Sequence, residues 1–134
     1  KDIKRLNENI RSLTLVKCIS MSFWGSVDWN SILSELGSRR VLTHLELRNC
    51  GLGMKQIDKL KCMNQLEILN LGEVIYSETN NLTNECTAPL VRLVNLKKLF
   101  LANNNLDDGC IDNLVKLRDL IVLDLCTHLA QLSQ

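Results

Sequence analysis

The string LKKLFLANNNL, from Leu96 to Leu106, constrains this chain more than any other stretch of it. Leucine stands at its first, fourth, sixth and eleventh places, and Asn104 at its ninth. That spacing fits neither the 3.6-residue beat of an amphipathic helix nor the sustained alternation of a long half-buried strand. It fits a short strand that buries its leucines on one side and then bends, with one polar residue facing inward at the bend. Upstream, LTHLELRNCGL (Leu42 to Leu52) repeats the pattern with Cys50 in the asparagine place.

Three weaker copies share the register. Ile10, Leu13, Leu15 and Cys18 fill the first, fourth, sixth and ninth places of the earliest. Leu66, Leu69 and Leu71 fill the first three of another, with Val74 ninth; Leu120, Leu123 and Leu125 do the same in the last, with His128 ninth. The copies start at 10, 42, 66, 96 and 120, so two units are 24 residues long and superpose in full: Ile57, Leu60 and Met63 match Ile111, Leu114 and Leu117. On these residues the chain resembles the leucine-rich repeat (LRR) family. The resemblance implies an α/β solenoid with a concave parallel β-sheet and helices or loops on the convex side. It also implies one domain over residues 1–134, of about five repeats. Each turn has an apolar edge that it cannot bury alone, and stacking on its neighbours buries it. The ninth side chain must satisfy backbone groups where the chain leaves the strand. An Asn amide donates and accepts, Cys bonds weakly and Val offers nothing, so this polar ladder is expected to falter at Val74.

Aromatic residues are only 4% of the chain against 46% hydrophobic, so the core must be aliphatic. A formal charge of +1 gives no basic platform for nucleic acid. No apolar run approaches the roughly 18 residues of a membrane span. Lys1 opens inside what reads as the helix of an earlier unit (Ile3, Leu6). The chain therefore reads as a fragment of a longer one; the expected location is cytoplasmic or otherwise intracellular, with an extracellular one left open.

The two long spacings read as convex insertions. In the first, Ser26 is the expected N-cap of a helix whose stripe is Trp29, Ile32, Leu33 and Leu36, with Gly37 as the stop. In the second, Thr87 before Pro89 marks a helix start, and Asn81-Leu82-Thr83 is a glycosylation sequon. Six cysteines without a zinc spacing read as free thiols of a reducing compartment; the other possibility is a convex bridge from Cys86 to Cys62 or Cys110. Asp107, Asp108 and Asp112 read as partners of a helix N-terminus rather than metal ligands. Asp124, Cys126 and His128 lack an oxyanion partner, so no catalysis, metal or cofactor is expected.

Function then falls to the surface. The resemblance implies a protein partner on the concave sheet, held by the residues between the leucines. The third places are Ser12, His44, Ile68, Lys98 and Val122; the fifth are Thr14, Glu46, Asn70, Phe100 and Asp124; the seventh include Arg48, Gly72, Ala102 and Cys126. Phe100, flanked by Ile68 and Val122, is the expected apolar centre, with His44, Glu46, Arg48, Asn70, Lys98 and Asp124 around it. These point to a non-catalytic interaction module: a scaffold, an adaptor or a subunit of a complex. The alternative is an LRR ectodomain of a receptor or surface protein, glycosylated at Asn81 and bridged by disulfides.

Overall fold

A computed structural model describes residues 7–16, 27–72 and 82–126. Five strands form one parallel sheet: β1 (Ser12–Val16), β2 (His44–Arg48), β3 (Ile68–Asn70), β4 (Lys98–Phe100) and β5 (Val122–Asp124). The sheet order is the chain order, each strand pairing with the next. Four helices alternate with the strands: α1 (Trp29–Gly37), α2 (Met54–Leu60), α3 (Thr87–Leu90) and α4 (Ile111–Leu114). Each helix packs on the next, as each strand does. The fold is α/β, and no helix among the described residues is long and apolar enough to cross a membrane.

The junctions between turns are built alike. The N–H groups of Thr43 and His44 both donate to the Arg11 carbonyl, and those of Glu67 and Ile68 to Thr43. Lys97 and Lys98 donate in the same way to Glu67, and Ile121 and Val122 to Lys97. Ahead of every strand, the residue at the first place donates its N–H three residues back: Ile10 to Asn7, Leu42 to Arg39, Leu66 to Met63, Leu96 to Leu93 and Leu120 to Leu117. One carbonyl thus serves two donors at each step, which satisfies the backbone where each strand begins.

Between sheet and helices lies a single aliphatic core. Leu45, Leu69 and Leu99 from the strands are fully buried beside Leu36, Leu60 and Leu90 from the helices. The column three residues before each first leucine is Met63, Leu93 and Leu117 in three turns but Arg39 in the other. The Arg39 side chain is only 8% exposed there. Its guanidinium donates to the Asn7 carbonyl at 3.0 Å and contacts Glu35 at 3.3 Å. An arginine thus fills an apolar slot by spending its charge on a carboxylate and on the backbone of the preceding turn.

The bends follow the leucine string. Asn104 is 4% exposed. Its Nδ2 donates to the carbonyls of Leu71 (3.0 Å) and Leu101 (3.1 Å), and its Oδ1 accepts the Leu82 N–H (3.1 Å). The expected ninth-place role is therefore filled, and part of it reaches back to the turn before. At Cys50 the thiol donates to the Arg48 carbonyl at 3.3 Å. Cys18, Val74 and His128 lie outside the described residues. Just before the ninth place, Asn49 (φ 54°) and Asn103 (φ 58°) take the left-handed conformation that turns the chain.

Several local expectations need correction. The N-cap of α1 is Asp28, not Ser26, which lies outside the described residues; Asp28 accepts the Ser31 N–H at 3.1 Å. Gly37 is the last helical residue and Ser38 closes the helix in ordinary right-handed backbone. Thr87 does start its helix, as expected, but not from open chain. A 3-10 turn at Asn84–Cys86, capped by Thr83, precedes it, while Thr87 is buried and its hydroxyl donates to the Asn84 carbonyl at 2.6 Å. The bridge from Cys86 to Cys62 or Cys110 is not formed: Cys50, Cys62, Cys86, Cys110 and Cys126 are free thiols. Leu123, expected inside, is 38% exposed, because no described strand stacks beyond β5.

Candidate binding face

The register brings the columns together. Ser12, His44, Ile68, Lys98 and Val122 are successive Cα partners across the five strands, as are Thr14, Glu46, Asn70, Phe100 and Asp124. Because side chains alternate along a strand, both columns share the sheet face opposite the buried leucines. Ile68, Phe100 and Val122 are half-buried there and Lys98 is exposed.

Charge is unevenly committed on this face. His44 Nε2 lies 3.0 Å from one Glu46 oxygen and Arg48 Nε 3.3 Å from the other, so Glu46 holds two partners. The Arg48 contact misses hydrogen-bond geometry and leaves its Nε buried without a hydrogen bond. The Lys98 ammonium has no ion pair or hydrogen bond among the described residues.

Two of the predicted site residues turn to the backbone instead. Asn70 Oδ1 accepts the Gly72 N–H at 2.9 Å, and Asp124 Oδ1 accepts the Cys126 N–H at 3.0 Å. Both are Asx turns at the fifth place, two residues before the end of the bend. A Cβ at Gly72 would crowd this turn, 3.2 Å from Asn70 Oδ1 and 3.3 Å from the Ala102 nitrogen. The Cys126 thiol's own hydrogen bond to the Asp124 carboxylate, and then the charge of that carboxylate, raise the thiol's pKa above its ordinary 9.0. Cys126 and Asp124 are thus neighbours, but the carboxylate holds the thiol protonated, the reverse of what a nucleophile needs.

Asn81 and His128 lie outside the described residues, so the sequon and the third member of the Asp124, Cys126 and His128 set have no placement here. Asp107, Asp108 and Asp112 fall at the start of the 3-10 turn Asp108–Cys110 and the helix α4 that follows it. Asp107 accepts the Gly109 N–H at 2.8 Å and the Asn84 side-chain amide, which together lower its pKa below the usual 3.8. Among the described residues no cluster of three or more His, Cys, Asp or Glu is placed to hold a metal ion. Searches against known proteins find no matching family model, no similar curated protein and no matching solved structure.

Proposed function

We propose that this chain is a leucine-rich repeat solenoid that works as a non-catalytic protein–protein interaction module, a scaffold, adaptor or complex subunit binding its partner on the concave sheet. The recurring two-donor hydrogen bonds and the stacked leucine columns support the repeat reading. The observation that carries the function is the apolar group Ile68, Phe100 and Val122 on the sheet face opposite the buried leucines, with Lys98 among them and His44, Glu46 and Arg48 around them. A desolvated apolar centre inside a charged rim is how protein interfaces concentrate their affinity. The free thiols favour this module over a disulfide-bearing ectodomain.

The test is Phe100→Ala, measured against the partner that copurifies with the native full-length protein. Phe100 is half-buried and stands on the face away from the core, so the melting temperature is expected to hold. Affinity is expected to fall about tenfold or more. Unchanged affinity overturns the choice of face.

A further inference from the structure

Lys98 lies in the middle of the apolar group rather than at its rim. Its Cα partners on the two sides are Ile68 on β3 and Val122 on β5, and Phe100 follows two residues on, on the same face. Neighbouring strands are about 4.8 Å apart and alternate residues on one strand about 6.6 Å, so all three apolar side chains stand within one side-chain length of the lysine stem. Among the described residues none is paired with its ammonium. Of the described carboxylates on this face, Asp124 on β5 accepts the Cys126 N–H, and Glu46 on β2 is taken by His44 and Arg48.

The cost of covering this group selects the occupant. A partner that seals Ile68, Phe100 and Val122 from water must also strip water from the Lys98 ammonium, and a charge buried without a counter-ion is costly. Only a partner that brings its own negative charge to the same spot recovers that loss. Resting on the concave-face reading above, we propose that the face takes a protein segment in which an Asp or Glu is flanked by apolar side chains, with the carboxylate seated on Lys98 and the apolar residues on Ile68, Phe100 and Val122. Charge complementarity at a desolvated centre makes this acidic–apolar segment the occupant, in preference to a basic or purely apolar one.

The experiment is a displayed library of random peptides, fused at both ends so that no terminal carboxylate is present, panned against the native protein and its Lys98→Glu and Phe100→Ala variants. Lys98 is exposed, so thermal melts of the variants are expected to match the native protein. The native protein is expected to enrich peptides with Asp or Glu beside aliphatic or aromatic residues, and Lys98→Glu to enrich Lys or Arg at that place. Binding of the best acidic peptide is expected to fall about 30-fold or more in Lys98→Gln. Peptides that depend on Phe100 but show no acidic preference overturn the proposed occupant and leave the concave face standing. Peptides that bind without regard to Phe100, or no enrichment at all, overturn both.

Discussion

Replacing Asn104 with alanine removes three short hydrogen bonds at once, with a longer one to the Ala102 carbonyl, and changes nothing on the surface. The side chain is 4% exposed and joins the carbonyls of Leu71 and Leu101 to the N–H of Leu82. At about 1 kcal/mol net for each bond, the loss is about 3 kcal/mol. For a domain of this size that is a fall of roughly 10 °C in the melting temperature. Urea unfolding followed by far-UV circular dichroism measures it, with Cys50→Ala as the comparison. The Cys50 thiol makes a weak contact with the Arg48 carbonyl at 3.3 Å, so its removal is expected to cost about 1 kcal/mol. Asn104→Asp sharpens the test. The carboxylate keeps the acceptor for Leu82 but aims negative charge at two carbonyl oxygens, so the folded state favours the protonated acid and raises its pKa above the unfolded value. By linkage this variant is most stable below the unfolded carboxyl pKa and loses stability as the pH rises through the folded one. An Asn104→Ala loss under 1 kcal/mol, or one no larger than that of Cys50→Ala, refutes the assignment of Asn104 as the tie between turns.

Other outcomes follow from single residues. Asn103 holds φ at 58°, so Asn103→Gly is expected to be more stable than Asn103→Ala by about 1 kcal/mol in the same unfolding assay, the side chain being lost in both. Asp107 has its pKa lowered first by the Gly109 N–H and then by the Asn84 amide. Its contribution is therefore present above the ordinary value of 3.8 and lost as the pH falls through the lowered one, and Asp107→Ala is expected to flatten the acid limb of a stability–pH curve below that value. Cys62 and Cys126 are both exposed, but Cys126 is held protonated by Asp124. With a thiol reagent at pH 8, Cys62 is expected to react first, and Asp124→Asn to speed Cys126.

The strands were legible because leucine marks them and because a one-residue slip would turn every leucine outward. Those residues alone set the column partners, and the observed register follows them from Ser12 to Val122. What the sequence reading missed lies where a polar residue takes an apolar place or serves the backbone. Arg39 stands in line with Met63, Leu93 and Leu117, and aligning the residues three before each start was the signal that could have found it. The left-handed asparagines were visible too, since Asn49 and Asn103 occupy the same place in the two strongest copies. Asn70 and Asp124 looked like binding residues because they share a face with Phe100. In the folded chain their oxygens turn onto the N–H groups of Gly72 and Cys126. The cap of α1 was misplaced because Ser26 and Asp28 are equally good caps by type, and the choice between them is made by the Ser31 N–H.

Place in the repeat does not decide burial; neighbours do. Leu45, Leu69 and Leu99 are each at 0% exposure, while Leu123, at the same place of the last strand, is at 38%. Among the described residues those three leucines have a paired strand on both sides and Leu123 on one, so the same residue in the same local geometry gains less apolar stabilisation there. The difference bears on the binding face. Ile68, Lys98 and Phe100 stand on β3 and β4, whose inward leucines are fully buried, whereas Val122 stands on β5, backed by an exposed one. A rigid floor fixes where a partner's side chains and carboxylate must sit, and the entropy of ordering that floor has already been spent in folding. Two of the three apolar contacts, and the lysine between them, lie on such a floor. The third lies on β5, whose inward leucine is the most exposed of those strands, so under the proposed reading specificity would rest with β3 and β4, and β5 would supply area.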